Sequence, residues 1–392
     1  MKSVERPAKP RQERCLFLTG LLRGLFSGEY GPEYGNTTPE QAEDALALAG
    51  SQTLEAMTAE ALLAVKSWPG DMQKRLKDIC RRQFVYSEVQ AAERQKVYAL
   101  LEGAGAEYVP LKGDIIASLY PQPYMRRSSD VDILIRKEKL GETGALLKQA
   151  GFRLAVVSGH DHHFISPMLS LELHYMLEGS GLFTDAPNIL ERVWDYVIPV
   201  PGSMRRDMTG AFCYCYSTAH IARHFLLTGG CGLRSVIDLW LLRQKTEGEA
   251  AQRDDLLRQA GLRDFSERIC ALGEDLFGEA GRSPDTELLE VVFGGTVFKS
   301  KKGQVTGNIA RQDGRLKHVA GIVFPPLPIM KNAFPILRER PWLYPVFVVY
   351  RLFRGVWFAK RNIHRMSAIA GADRGEVEKR KAVLKKLGLL DK

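Results

Sequence analysis

Six cysteines in 392 residues, none of them in a CxxC pair, give this sequence no disulfide framework and no zinc-ribbon spacing. Scattered thiols point to a reducing compartment, so a cytoplasmic location is expected. Cys213 and Cys215 flank Tyr214 and read as core residues. The chain also lacks a run of 18 or so apolar residues, which leaves no sequence-level candidate for a membrane-spanning helix. The first 14 residues are basic, but only the short "CLFLTGLL" follows, so no signal peptide is expected. Neither GxxxxGK[ST] nor HExxH occurs, which sets aside the P-loop and the zincin helix. Internal repeats and low-complexity segments are missing too.

What is present is an ordinary globular composition, 45% hydrophobic and 26% charged. The length suits two or three structural units. The net charge of +9 suits an anionic partner, such as a nucleotide, a nucleic acid or a lipid surface, and selects none of them.

The pattern along the chain divides it into four expected regions. Residues 1–95 read as helical, with a Thr38-Pro39 helix start and a long helix from about Ser87 to Gly103. Residues 96–205 alternate short strands ("EYVPL", "DVDILI", "RLAVV", "LSLELHYML") with helices, the mark of a small mixed α/β unit. Residues 206–290 return to helical spacing. Residues 291–392 hold a basic, Gly-containing linker and a Pro-containing helical end. In that end, Arg351, Arg354, Arg361 and Arg365 fall near one helical face, so peripheral membrane contact competes there with simple docking on the protein body.

The chemistry concentrates in "RRSSDVDILI", Arg126–Ile135. Side chains alternate along a strand, so Asp130 and Asp132 share one face while Val131, Ile133 and Ile135 share the other. Adjacent carboxylates repel unless a cation lies between them. Mg²⁺, with Mn²⁺ as the alternative, prefers such oxygen ligands together with substrate phosphates. "LSLELHYML" repeats the arrangement with Glu172 and His174 on one face. If that strand pairs near "DVDILI", Glu172 becomes a third carboxylate at the same ion. Three carboxylates over one sheet edge fit two-metal phosphoryl displacement. Upstream, "PLKGDIIASLY" places Lys112 and Gly113 at a helix start, where backbone N–H groups favour a phosphate. Arg126 is a second candidate for a phosphate oxygen; Arg127 is expected to face solvent.

Other histidines carry less. "GHDHHF" suggests zinc at His160, His162 and His163, but without a further placed ligand a substrate-facing loop is the preferred reading. His220 and His224 are spaced i, i+4, as are Arg234 and Asp238, the latter pair reading as a helix-surface ion pair.

Taken together, Leu111-Lys112-Gly113, Tyr120-Pro121, Arg126 four residues before Asp130-x-Asp132, and the later Glu172-x-His174 resemble the uncharacterised nucleotidyltransferase-like family of the polymerase-β-type superfamily. The resemblance covers roughly residues 85–245. It implies an α+β fold, a small mixed β-sheet nucleotidyltransferase core flanked by N-terminal and C-terminal helical regions. It also implies metal-dependent transfer of NMP from an NTP to a hydroxyl acceptor. Asp130, Asp132 and Glu172 then serve as catalytic and metal ligands, and Lys112, Gly113 and Arg126 as nucleotide-binding residues. The acceptor is not implied. The wider superfamily has Gly-Gly or Gly-Ser at the turn where this chain has Gly113-Asp114. A carboxylate there can repel a triphosphate, which keeps a catalytically inactive nucleotide-binding or scaffold protein as the alternative. A nucleic-acid-binding role rests on charge alone, with no recognition helix or RNA-binding motif beside it.

Overall fold

A computed structural model describes residues 10–177, 183–184, 188–228, 230–278 and 283–294, and beyond them 324, 327, 330, 334, 336–357 and 374–390. It divides into two compact units. One comprises residues 1–221 and 232–293, the other 222–231 and 294–392.

The first unit opens with helices α1 (Arg11–Ser27), α2 (Pro32–Gly35), α3 (Pro39–Ser51), α4 (Glu55–Val65) and α5 (Gly70–Gly103). The expected Thr38-Pro39 start of α3 is a full capping box. Thr38 accepts from the Gln41 backbone N–H, and the Gln41 side chain accepts from that of Thr38. Helix α5 is twice as long as the sequence suggests, because it serves two cores. Its first half buries Met72, Leu76, Ile79 and Cys80 among α1, α3 and α4. Its last turns bury Val97, Tyr98 and Leu101 against the sheet. The polar stretch between them hides that continuity from a reading by hydrophobic period.

The sheet has five strands: β1 (Tyr108–Pro110), β2 (Val131–Ile135), β3 (Arg153–Val157), β4 (Asp161–Ile165) and β5 (Ser170–His174). Their order is β1-β2-β5-β4-β3. Only β2 and β5 run parallel; the other neighbours are antiparallel. The fold is therefore α+β with a small mixed sheet and flanking helices, as expected. Helix α6 (Gly113–Ala117) follows β1, and α7 (Leu140–Gln149) follows β2. Helix α7 ends near Gly151, whose φ of 91° lets the chain turn at no steric cost.

One sheet face is dry. Val131, Ile133, Ile135, Phe164, Leu171 and Leu173 pack there with Leu147 of α7 and the end of α5. Each such side chain contributes roughly 1.5–3 kcal/mol by burial. A one-residue slip of β2 would expose three of them and bury Asp132 instead, so the register is strongly fixed. The opposite face carries Asp132, Glu172 and His174, with Leu134 buried further along β2.

Strands β6 (Val197–Pro199) and β7 (Arg206–Met208) form a separate ladder, and helices α8 (Gly210–Thr228), α9 (Leu233–Lys245), α10 (Ala250–Gln259), α11 (Arg263–Phe277) and α12 (Thr286–Gly294) follow. Burial pushes the thiols of Cys213 and Cys215 on α8 up to about 12, as suits core cysteines. All six cysteines are buried and none forms a disulfide.

The second unit has a small core of Met330, Leu337 and Val348. Its helices include Tyr344–Trp357 and Arg374–Lys386. Arg351 and Arg354 fall in the first of these; Arg361 and Arg365, like the basic stretch 299–318, lie outside the described residues. No helix among the described residues is long and apolar enough to cross a membrane.

Candidate active site

The polar face of the sheet assembles the site from three neighbouring strands. The parallel register of β2 and β5 sets Asp132 directly beside Glu172. The antiparallel register of β5 and β4 then sets Glu172 beside His163 and His174 beside Asp161. Period-2 alternation puts all five side chains on the face opposite the dry core.

Asp132 is the centre of this array. Its side chain is 8% exposed, and it meets His174 Nε2 at 3.2 Å and Lys112 Nζ at 3.3 Å. Burial alone raises a carboxyl, but the Lys112 charge and the His174 hydrogen bond outweigh it and hold Asp132 well below the usual range. Asp130, just ahead of β2, shows the opposite balance. Burial and the neighbouring Asp132 push its carboxyl up, against the opposing charge of Lys112. Glu172 lies 3.5 Å from His174 Nε2 and 3.6 Å from His163 Nδ1.

Two groups of donor atoms converge among the described residues: Asp132–Glu172–His174 and Asp161–His163–Glu172. Within each, the atoms lie within 4.8 Å of one another. The sequence-predicted Asp132 and Glu172 are thus brought together. Asp130 belongs to neither group, although it shares their electrostatic field. His220 and His224 belong to neither as well.

Lys112 precedes the short α6, as its position in "LKG" suggests, but its ammonium turns inward. It contacts Asp132, lies 3.4 Å from His220 Nε2, and sits over the Tyr216 ring at 5.6 Å. Gly113 opens onto space: a Cβ added there would meet nothing within 4 Å. Packing does not demand this glycine, and the turn has room for a ligand to approach. Asp114, the residue that set this turn apart, is paired with Arg94 of α5 at 2.6 Å. Burial raises the Asp114 carboxyl, and Arg94 pulls against it. The carboxylate is therefore compensated within the fold.

Arg126 is placed differently from the other predicted phosphate ligands. Its guanidinium is buried and grips Asp238 of α9 with two hydrogen bonds of 2.9 Å. The Tyr120 hydroxyl donates to the same carboxylate at 2.7 Å. Arg126 lies within electrostatic range of Asp132 but binds the helix behind the site. Asp238 is thus not the helix-surface partner of Arg234. Arg234 donates instead to the Arg127 carbonyl. Burial and the nearby Arg126 charge pull its guanidinium down.

The expected loop at "GHDHHF" is confined to Gly159 and His160, and residues 161–164 belong to strand β4. Its polar residues alternate: Asp161 and His163 face the site, while His162 points away, beside Phe164 and Tyr175. Asp161 is 2% exposed, and His160 and His163 each approach its Oδ2 at 3.2 Å. Burial raises Asp161, but hydrogen bonds from His160 and Ser158 outweigh it and hold it well below the usual range. The D-H-H-F-I alternation is the signal that marks β4, and a period-2 reading of it finds both Asp161 and His163.

His174 gives a pH prediction. Burial favours the neutral ring, yet the hydrogen bonds to Asp132 and Glu172 prevail and raise it from 6.5 to about 9. A raised histidine stabilises fully below its unfolded value and loses that contribution as pH rises through its folded value. Unfolding free energy of the metal-free protein should therefore fall between pH 6.5 and about pH 9. Urea titrations across that range check it; His174→Gln, which keeps a donor for Asp132, should flatten the fall.

The profile of a family described as "uncharacterised nucleotidyltransferase" matches residues 38–278. No curated protein sequence matches the chain. Two solved structures resemble it at 12% identity. The solution structure of the antibiotic-resistance factor ANT(2'')-Ia aligns over 44% of this chain and 94% of its own, with a TM-score of 0.34. The crystal structure of ANT(2")-Ia in complex with adenylyl-2"-tobramycin aligns over 43% and 98%, with a TM-score of 0.32.

Proposed function

Since the chain belongs to the uncharacterised nucleotidyltransferase family, we propose that it moves NMP from an NTP to a hydroxyl-bearing acceptor in a divalent-metal-dependent reaction. The acceptor oxygen bonds to the α-phosphorus, the bond to the β-phosphate oxygen breaks, and pyrophosphate leaves. The observation that carries this reading is the pairing of Asp132 and Glu172 on adjacent parallel strands, with the Lys112 ammonium beside Asp132.

The donors fit a hard ion: carboxylate oxygens from Asp132 and Glu172 converge, Asp130 shares their electrostatic field, and such an ion would be held by these carboxylates together with substrate phosphate. Mg²⁺ is the natural occupant and Mn²⁺ the alternative. When bound, such an ion supplies positive charge to the α-phosphate and makes the attacking hydroxyl more acidic. The remaining work belongs to the chain. Asp132 and Glu172 hold the ion, and His174 orients Asp132 through its Nε2–H. Lys112 Nζ, set beside Asp132, provides a point charge for the triphosphate. The open turn at Gly113 lets phosphate approach the backbone. Asp130, whose carboxyl is pushed up, is suited to take the proton of the attacking hydroxyl at a carboxylate oxygen. Arg126 acts by fixing α9 behind the site. The Arg94 pairing of Asp114 supports the active reading over the inactive alternative.

The test is pyrophosphate release from an NTP with Mg²⁺ and a pool of lysate acceptors. Release is expected from the native chain and not from Asp130→Ala/Asp132→Ala. Release that survives in the double variant would overturn the assignment.

A further inference from the structure

The proposed reaction uses one edge of the polar array and leaves the other edge unexplained. On that edge lie Asp161 and His163 of β4, facing His174 and Glu172 of β5. Asp161 is a carboxylate with 2% exposure, surrounded by the imidazoles of His160, His163 and His174. A hydrogen-bonded network of histidines and carboxylates is one way to satisfy such a group. One atom does not fit that account. His174 is 7% exposed, and its Nδ1 is buried with no hydrogen-bond partner. That nitrogen faces Asp161 Oδ2 at 4.0 Å.

The other nitrogen of the same ring explains the arrangement. His174 Nε2 lies 3.2 Å from Asp132 Oδ1. A histidine that binds a metal through one nitrogen typically gives its other N–H to a carboxylate, which fixes the tautomer and aims the lone pair. Asp132 performs that part here, and Nδ1 is left facing Asp161, one member of the Asp161–His163–Glu172 group. Donor atoms about 2.0–2.1 Å from one ion stand roughly 3–3.5 Å apart. The three donors of that group already lie within 4.8 Å of one another, so modest side-chain rotation closes the shell. His163 and Glu172 are 30% and 24% exposed, which leaves an entry path.

We propose that Asp161, His163, Glu172 and His174 Nδ1 form a second metal site, distinct from the carboxylate site of Asp132, that takes a divalent transition-metal ion of the zinc type. Mixed imidazole and carboxylate donors favour such an ion over Mg²⁺. The site depends on the proposed transfer reaction only in that Glu172 and His174 stand between the two positions. It joins the ends of β4 and β5 at the border of the catalytic face.

Co²⁺ is the probe, because its visible absorption reports nitrogen ligation and coordination number. The full chain, stripped of metal, is titrated and bound Co²⁺ is counted. Two equivalents are expected for the native chain. His163→Gln should retain one equivalent and lose the absorption bands of the imidazole-rich site. Asp132→Asn should also retain one, with those bands kept. Asp161→Asn, read beside His163→Gln, guards against a variant that fails to fold, and far-ultraviolet circular dichroism confirms the fold of each. Two equivalents with unchanged bands in both His163→Gln and Asp161→Asn overturn this site and leave the catalytic reading standing. Loss of one equivalent in His163→Gln, with two retained in Asp132→Asn, supports this site and overturns the carboxylate site instead.

Discussion

Asp132→Asn is expected to lower nucleotidyl transfer by about 10³-fold or more, about 4 kcal/mol on the barrier. The variant keeps nearly the shape of the side chain and an oxygen for His174. It removes the negative charge on which the site is built. Asp132 is the carboxylate held well below the usual range, with Lys112 and His174 as its partners. Without that charge, Glu172 alone is a weak anchor for a divalent ion. Mg²⁺ titrations followed by NTP turnover separate the effects: raised Mg²⁺ should recover only a small part of the lost rate. A variant that turns over within tenfold of the native chain would place the chemistry elsewhere. The substitution also leaves the Lys112 ammonium, 13% exposed, without its main counter-charge, so a loss of stability should accompany the loss of rate.

The second large effect is one of stability. Arg126→Met is expected to cost about 3–5 kcal/mol, because it strands the Asp238 carboxylate in the interior. Both side chains are nearly inaccessible, at 6% and 7% exposure, and the pair is bidentate. Tyr120→Phe removes one neutral donor to the same charged carboxylate and should cost about 1.5–3 kcal/mol. The double variant Arg126→Met/Asp238→Leu should lose less than the sum of its parts, since no charge is left unpaired. Urea denaturation of these three variants and of Asp238→Leu alone checks this order. The folded fraction of Arg126→Met should bind NTP within about threefold of the native chain if, as proposed, Arg126 acts by holding Asp238 behind the site. A much larger loss of NTP affinity at unchanged stability would return Arg126 to the phosphate side.

These two residues also show what a sequence can and cannot disclose. Asp132 is legible because its evidence is local. The strand alternates with a period of two, the dry partners Val131, Ile133 and Ile135 lie beside it, and Glu172-x-His174 repeats the pattern. Pairing of β2 with β5, the condition in the sequence reading, is met, in a parallel register that sets Asp132 beside Glu172. Arg126 is visible as a motif residue, but its partner is 112 positions away on α9. Nothing in local spacing connects an arginine to an aspartate at that separation. Lys112 and His220 are similarly far apart, at 108 positions. Asp114 shows the reverse. It looks like a defect in the turn until Arg94 of α5 is placed against it. Strand β4 was hidden by its histidines, which suggest a loop, although Asp161 and His163 on one face and His162 and Phe164 on the other follow the strand period. Helix α5 escaped for a different reason. Its two buried ends belong to different cores, and the polar middle breaks the hydrophobic period between them.

The most direct test of the nucleotidyl-transfer reading follows the label on an NTP. The native chain is incubated with Mg²⁺, lysate acceptors and an NTP labelled at either the α- or the γ-phosphate. The account predicts that α-label appears on an acceptor and γ-label in pyrophosphate, and that both are lost in Asp130→Ala/Asp132→Ala. Transfer of γ-label to an acceptor, or α-label transfer that persists in the double variant, would contradict it.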